Sequence, residues 1–138
     1  MNRLSDKEAI DLLKHGDILE LGQQANKIRQ EKHPGNTVTF IVDRNINYTN
    51  VCLNECRFCA FFRRENRKDA YLLPIETILQ KVKETQEAGG TQVMLQGGLH
   101  PSLPFEYYLN MINTIKTAFP DIVIHSFSPA EILHFSKI

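Results

Sequence analysis

The sequence predicts an α/β fold in which a parallel sheet is built from alternating strands and helices and is preceded by two helices. Three observations support this prediction. From residue 37 onward, short segments rich in β-branched residues alternate with amphipathic helical segments, as in parallel βαβ units. Residues 5–33 show only helical periodicity. All three cysteines follow the first strand-like stretch within eight residues, which places a candidate site in the loop after a strand.

Composition and charge exclude several classes of protein. The 138 residues carry 16 Lys+Arg and 16 Asp+Glu, and 42% are hydrophobic, an ordinary globular profile. Because positive and negative side chains are equal in number, the chain has no net positive charge that would attract nucleic acid or an anionic membrane. No segment approaches the ~18 apolar residues of a membrane span, and Met1–Asp6 lacks the apolar core of a secretory signal. We therefore expect a cytoplasmic protein with reduced thiols, no nucleic-acid partner and no membrane span.

The first 36 residues predict a helical preamble. Ser5 and Glu8 fit a capping box, and Gly16 ends the first helix. Asp17 caps a second helix that ends before the turn of residues 33–35. We expect this domain, residues 1–36, to pack against a larger domain, residues 37–138, and to carry no catalytic set.

The larger domain is predicted to alternate strands and helices. Residues 37–42 predict a strand that Asp43 and Arg44 interrupt, and residues 45–49 resume it and lead to the cysteines. Pro74 is expected at the first position of a helix that stops at Gly89. A strand at 91–95, a helix at about 104–118, a strand at 122–127 and a helix after Ser128 follow. The helix at 104–118 is predicted to bury Phe105, Tyr108, Leu109, Ile112 and Ile115.

The stretch 61–69 is basic with interleaved acids. Because its acids dilute the charge and no second basic block supports it, a solvated loop is the better interpretation.

The cysteines are the strongest candidate ligands. Cys52, Cys56 and Cys59 are spaced C-x3-C-x2-C, and an odd number of thiols disfavours a disulfide framework. A structural zinc ion needs four protein ligands, so it would have to recruit a distant group such as His33 or His100. A cubane iron-sulfur cluster usually takes one cysteine per iron, and three cysteines leave one iron open for chemistry. The spacing favours such a cluster over zinc.

Several other residues near the predicted strand ends carry weaker signals. Gly97 and Gly98 follow a strand, where glycine lets the backbone approach a ligand, although a tight turn is the plainer alternative. Polar residues before the cysteines are expected either to satisfy backbone groups or to hold the loop or substrate; they are Asn45, Asn47, Thr49 and Asn50. Glu131 and His125 could face the pocket, but we assign neither a catalytic role, since a surface or capping role for Glu131 explains it equally well.

The cysteine spacing, with Phe58 directly before the last cysteine, resembles the cluster loop of the radical S-adenosylmethionine enzymes. The resemblance implies that Cys52, Cys56 and Cys59 hold a 4Fe-4S cluster. It implies that the open iron chelates S-adenosylmethionine, and that an electron from the cluster cleaves this cofactor to a 5′-deoxyadenosyl radical. It further implies that Phe58 lies near the adenine and that the turn after the second strand binds the methionine end.

The turn departs from that family's usual pattern at one position. Leu99 stands where these enzymes usually carry an acid, so the backbone carbonyls of Gln96, Gly97 and Gly98 are expected to serve instead. By the same resemblance, the fold would be the N-terminal portion of a (β/α) TIM-type barrel with about three strands present. The implied partner is an external electron donor of the flavodoxin or ferredoxin type.

Five runs resemble one branch of this family, which makes futalosine-derived menaquinone precursors and the deazaflavin of coenzyme F420; they are residues 43–52, 59–61, 89–92, 96–101 and 125–129. Within the branch they most resemble dehypoxanthine futalosine cyclases. The implied reaction is the radical cyclisation of dehypoxanthine futalosine, a small nucleoside-derived substrate, in menaquinone biosynthesis. Aminofutalosine synthase and an F420 deazaflavin synthase subunit are the near alternatives.

The length of the chain limits how much of the implied enzyme it can contain. A full barrel takes ~200 residues or more, so we expect this chain to be the N-terminal part of an enzyme and do not expect it to catalyse the reaction alone. A non-catalytic fragment and a zinc-binding module are the alternatives of another class.

Overall fold

The computed structural model describes residues 3–138; Met1 and Asn2, which begin the predicted preamble, lie outside the described residues. The chain divides into two compact units, Met1–Thr39 and Phe40–Ile138. The predicted domain bounds, 1–36 and 37–138, remain a prediction. No helix in the part of the chain that the structure describes is both long and apolar enough to cross a membrane.

The first unit contains two helices, α1 (Asp6–His15) and α2 (Ile18–Lys32). The predicted capping box of α1 is confirmed, because the Glu8 carboxylate accepts from the Ser5 N–H at 2.8 Å. The Ser5 hydroxyl also donates to that carboxylate, and this hydrogen bond lowers the pKa of Glu8. The predicted cap of α2 is also confirmed, since Asp17 accepts from the N–H groups of Leu19 and Glu20. Neither helix buries any of its residues.

The second unit is built on a parallel sheet of three strands, β1 (Asp43–Ile46), β2 (Gln92–Leu95) and β3 (Val123–Ser126), in that order. The predicted parallel arrangement is therefore confirmed. The prediction of a strand at residues 37–42 is wrong, because that segment is exposed and pairs with no strand within the described residues. The sheet begins at Asp43, where an interruption was predicted.

The charged residues at the start of β1 are tolerated because each has a partner. The Asp43 carboxylate accepts from Gln92 Nε2 at 3.3 Å, and the Arg44 guanidinium contacts Glu84 at 2.5 Å. The contact with Arg44 lowers the pKa of Glu84. Paired in this way, Asp43 and Arg44 start the strand that leads to the cysteines.

Three helices complete the second unit: α3 (Ile75–Glu87), α4 (Phe105–Ala118) and α5 (Pro129–Phe135). Pro74 is the N-cap of α3 and not its first residue as predicted. The α4 prediction is partly wrong, since Phe105 and Leu109 are exposed. Tyr108 and Ile115 are buried as predicted, Ile112 is half-buried, and Met111 is buried although it was not predicted to be. The three buried residues are three and four positions apart, which places them on one face.

The core lies where α3 packs against β1, β2 and α4. It consists of eleven buried apolar side chains: Ile46, Tyr48, Ile78, Val82, Val93, Leu95, Tyr108, Met111, Ile115, Ile122 and Phe135. Because all three strands are parallel, their carboxyl ends meet at one edge of the sheet. The cysteine loop, the glycine turn and the start of α5 follow those three ends and therefore lie together.

Candidate cofactor site

A cavity of about 460 Å³ opens at the carboxyl ends of the strands. Residues of the cysteine loop, of the turn after β2 and of the start of α5 line it. All seven residues predicted to bind the cluster or the cofactor belong to this lining: Cys52, Cys56, Phe58, Cys59, Gln96, Gly97 and Gly98. The structure thus brings the predicted site residues together around one space, while their ligand-binding roles remain predictions.

The cysteine loop is anchored at its start and open in its middle. Cys52 N–H donates to the Arg63 carbonyl at 3.0 Å, and Leu53 N–H donates to the Leu99 carbonyl at 2.9 Å. All three cysteines are free thiols; Cys52 and Cys59 are half-buried and Cys56 is exposed. Among residues 3–138, no three Cys, His, Asp or Glu side chains converge closely enough to hold one metal ion. The donor set therefore surrounds one cavity without forming a closed metal cage.

His100, one of the two residues proposed as a fourth zinc ligand, has another role in the turn after β2. It is buried, and its Nδ1 atom accepts from the Ser102 N–H at 3.2 Å. Among the described residues, the lining of the cavity holds three thiols and no histidine or fourth cysteine, and the Glu131 carboxylate in it is taken by hydrogen bonds. Three thiols match the ligand number of a cluster with one open iron and are one short of a closed structural zinc site.

Arg64 holds the outer side of the cysteine loop. Its guanidinium donates to the carbonyl oxygens of Leu53 at 3.1 Å and Cys52 at 3.4 Å, and it forms an ion pair with Glu55. The solvated loop expected at 61–69 is mostly exposed. Sequence reasoning nevertheless missed Arg64, since nothing in a mixed-charge run distinguishes an arginine that folds back onto backbone carbonyls.

Thr49 and Asn50 connect the end of the strand region to the segment that returns from the loop. Thr49 Oγ1 donates to the Tyr71 carbonyl at 2.7 Å, and Asn50 Oδ1 accepts from the Tyr71 N–H at 2.8 Å. Asn50 also donates to the Asp69 carbonyl at 2.9 Å. These two residues satisfy backbone groups and, by doing so, hold the frame of the cysteine loop.

Gly97 and Gly98 allow the turn after β2 to lie directly against the cysteine loop. A Cβ on Gly97 would lie 2.4 Å from the Tyr48 ring. A Cβ on Gly98 would lie 2.0 Å from the Val51 carbonyl oxygen and 2.9 Å from Cβ of Cys52. All three contacts are shorter than a Cβ tolerates, so this approach requires glycine at both positions.

Three successive amides fix that turn. Gly97 N–H donates to Glu131 Oε1 at 3.0 Å, Gly98 N–H donates to the Thr49 carbonyl at 3.0 Å, and Leu99 N–H donates to Cys52 Sγ at 3.3 Å. Within the described residues, no donor reaches the carbonyl oxygens of residues 96–98. The turn therefore offers unused backbone acceptors beside the cysteines.

Glu131 closes the cavity from the third strand end and is almost fully buried, with 1% exposure. It forms a capping box with Ser128, which confirms the capping role and makes the surface role wrong. Its Oε1 atom also accepts from the Tyr48 hydroxyl at 2.7 Å. Burial, followed by the nearby Glu131 carboxylate, raises the pKa of Tyr48, so this hydroxyl keeps its proton and donates.

A three-cysteine loop at the carboxyl edge of a parallel βα sheet, beside a glycine turn with unused carbonyls, is the arrangement of a βα domain with its binding site at this edge. Residues 46–135 match the family model of the Radical SAM superfamily. The chain belongs to this superfamily.

Curated relatives agree with this assignment. The chain is 43% identical to the cyclic dehypoxanthine futalosine synthase of Halalkalibacterium halodurans, over 99% of this chain and 37% of that protein. It is 40% identical to the synthase of the same name from Streptomyces coelicolor, over 99% of the chain and 35% of the relative. It is 51% identical, over 75% of the chain and 28% of the relative, to the 5-amino-6-(D-ribitylamino)uracil–L-tyrosine 4-hydroxyphenyl transferase of Methanopyrus kandleri. The chain thus spans little more than a third of the length of these relatives, or less.

Solved structures agree on the fold. Methylornithine synthase superposes with a TM-score of 0.65 at 23% identity, over 99% of this chain and 42% of that one. The FeFe-hydrogenase maturase HydG from Carboxydothermus hydrogenoformans superposes with a TM-score of 0.51 at 27% identity, over 99% of this chain and 33% of that one. The three parallel strands correspond to part of a radical SAM barrel.

Proposed function

We propose that this chain is the cluster-binding and cofactor-binding part of a radical S-adenosylmethionine enzyme that cyclises dehypoxanthine futalosine in menaquinone biosynthesis. One observation carries the proposal. The 43% identity to a cyclic dehypoxanthine futalosine synthase extends over 99% of the chain, so it includes the cysteine loop, the glycine turn and the start of α5 that line the same cavity.

In this proposal Cys52, Cys56 and Cys59 hold a 4Fe-4S cluster, and the three thiolates leave one iron for S-adenosylmethionine. When bound, the cluster supplies the electron that cleaves this cofactor to a 5′-deoxyadenosyl radical. The protein contributes a hydrogen bond from Leu99 N–H to the Cys52 sulfur. Such a bond stabilises negative charge on a coordinating sulfur and helps to set the potential of the site.

The cofactor is held by backbone and aromatic groups in this proposal. The unused carbonyl oxygens of Gln96, Gly97 and Gly98 accept hydrogen bonds from the amino group at the methionine end. Phe58 is 99% exposed on the cysteine loop and lines the cavity, so its ring is free to pack against the adenine.

The substrate and the electron come from outside the chain. The proposed substrate is a small nucleoside derivative, and the proposed donor is a flavodoxin-type or ferredoxin-type protein. Because an iron-sulfur cluster needs reduced thiols, we place the protein in the cytoplasm.

A second candidate function is a transferase activity in the same superfamily. The 51% identity to a 5-amino-6-(D-ribitylamino)uracil–L-tyrosine 4-hydroxyphenyl transferase covers 104 residues. The two candidates share the cluster and cofactor chemistry and differ only in the substrates.

The test is a substrate comparison with the complete gene product, reconstituted anaerobically and supplied with S-adenosylmethionine and a reductant. One arm receives dehypoxanthine futalosine, and the other receives 5-amino-6-(D-ribitylamino)uracil with L-tyrosine. We expect mass spectrometry to show the cyclic product in the first arm only. Product in the second arm alone would transfer the proposal to the transferase activity. Cofactor cleavage with no product in either arm would contradict both.

A further inference from the structure

We propose that Glu131 is a positioning residue for S-adenosylmethionine, acting through the Gly97 amide and the Tyr48 hydroxyl. This inference rests on the proposed cofactor role of the turn at residues 96–98. Glu131 itself is not expected to touch the reacting atoms. Its carboxylate contacts Tyr48 after β1, Gly97 after β2 and Ser128 after β3. It therefore joins the three segments that line the cavity.

The two carboxylate oxygens of Glu131 perform separate tasks. Oε2 accepts from the Ser128 N–H and the Ser128 hydroxyl, both at 2.7 Å, and so begins α5. Oε1 faces the other way and accepts from the Tyr48 hydroxyl at 2.7 Å and the Gly97 N–H at 3.0 Å. A helix cap needs only the first set of contacts. The second set therefore serves the glycine turn.

Burial makes this arrangement rigid. Glu131 is 1% exposed and Tyr48 is 0% exposed, and a buried carboxylate is tolerated only when donors satisfy it. The four donors do so. The arrangement is also specific to a carboxylate, since a glutamine side chain has one acceptor oxygen and an NH₂ group that only donates. A glutamine would turn its NH₂ group either toward the Ser128 N–H and hydroxyl or toward the Tyr48 hydroxyl and Gly97 N–H. One of these two sets of donors would then lose its acceptor.

The consequence for the cofactor follows from the short turn. Gly97 lies on the Tyr48 ring, so its amide and its α-carbon are both fixed by the same pair of side chains. Because the carbonyls of residues 96–98 belong to the same turn, a shift of the Gly97 amide reorients these acceptors. The cysteine loop shares the Leu99 contacts with this turn, but it also has contacts of its own, from Cys52 N–H to the Arg63 carbonyl and from the Arg64 guanidinium to the Cys52 and Leu53 carbonyls. Loss of the Glu131 contacts should thus weaken cofactor binding more than cluster binding.

The experiment measures two quantities on the complete gene product: iron per chain, and the dissociation constant of S-adenosylmethionine by anaerobic equilibrium dialysis. The test variants are Glu131→Gln and Tyr48→Phe, alone and combined. Tyr108→Phe is the matched control, because Tyr108 is buried in the same aromatic cluster but its hydroxyl has no partner among the described residues. Val82→Ala is a stability control in the core, away from the cavity.

We expect Glu131→Gln to raise the dissociation constant about tenfold with iron content unchanged, and Tyr48→Phe to raise it about threefold. The double variant should lose less than the product of these factors, because both substitutions act on one hydrogen-bond network. Both controls should bind the cofactor as the unsubstituted protein does.

The inference would be overturned if Tyr48→Phe and the folded fraction of Glu131→Gln both bound S-adenosylmethionine with the affinity of the parent protein. A fall in Tm like that of Val82→Ala would then leave Glu131 a structural cap. A parent protein that holds a cluster but binds no S-adenosylmethionine would overturn the proposed function, and this inference with it. The two failures differ in whether the parent protein binds the cofactor.

Discussion

The amide of Leu99 lies 3.3 Å from the sulfur of Cys52 and donates a hydrogen bond to it. The Leu53 N–H returns a second bond to the Leu99 carbonyl at 2.9 Å. The turn after β2 and the cysteine loop after β1 are thus joined through both backbone groups of Leu99. As a result, a substitution that displaces the backbone at Gly98 or Leu99 acts directly on a proposed cluster ligand.

Gly98→Ala tests this connection. The added Cβ would meet the Val51 carbonyl oxygen at 2.0 Å and Cβ of Cys52 at 2.9 Å, and neither the carbonyl nor a Cβ can move aside without moving the backbone of the loop. We expect the variant to retain less than about half of the iron of the parent protein after anaerobic reconstitution, with a cost of roughly 1–3 kcal/mol in stability.

The matched control for that substitution is Gly22→Ala in α2, where nothing lies within 4 Å of the added Cβ. Alanine favours a helix over glycine by about 1 kcal/mol, so the control should keep its iron and its stability. Full iron content in both variants would mean that the turn is not coupled to the cluster loop.

Arg64→Gln should loosen the cluster without preventing its formation. The guanidinium holds the carbonyls of Cys52 and Leu53, but it is solvent-accessible, so we expect a loss of only about 1 kcal/mol. The rate at which a chelator removes iron should rise about fivefold, the factor that such a loss produces. Arg67→Gln is the control, because the Arg67 side chain makes no hydrogen bond or ion pair within residues 3–138. Equal rates for the two variants would contradict the role given to Arg64.

His100 should make stability depend on pH. Burial lowers the pKa of His100 below the ordinary 6.5, and its Nδ1 must stay unprotonated to accept from the Ser102 N–H. Because the unfolded chain then binds a proton more readily than the folded chain, stability is complete above about pH 6.5 and falls as the pH drops below it. Thermal unfolding at pH 7.5 and about 5.5 should show a smaller loss of Tm for His100→Gln than for the parent protein. An equal loss would assign the pH dependence to other groups.

Much of the site could be predicted from the sequence because its residues are local. The cysteines lie within eight residues and the glycines are adjacent, so spacing alone indicated both. The contact between Tyr48 and Glu131 could not be predicted, because it joins residues 83 positions apart. The sequence could indicate only the helix-capping role of Glu131 beside Ser128. That role accounts for the contacts of Oε2 but not for those of Oε1.

The errors in the fold have a similar cause. Residues 37–42 have the alternation of a strand, yet pairing depends on what lies beside the segment, and the ladder begins at Asp43 instead. On α4, Leu109 and Met111 are equally apolar, and the packing of the helix against its neighbours decides that Met111 is buried. Local pattern predicted the type and order of the elements, while tertiary contacts decided their bounds and buried faces.

The most direct test of the central claim is the metal content and electron paramagnetic resonance spectrum of the complete gene product after anaerobic reconstitution. We predict about four irons and four sulfides per chain, with iron lost in each of Cys52→Ala, Cys56→Ala and Cys59→Ala. We further predict that the spectrum of the reduced cluster changes when S-adenosylmethionine is added, because the cofactor binds the open iron. One tightly bound zinc per chain, with no iron-sulfur absorption and no response to S-adenosylmethionine, would contradict the account.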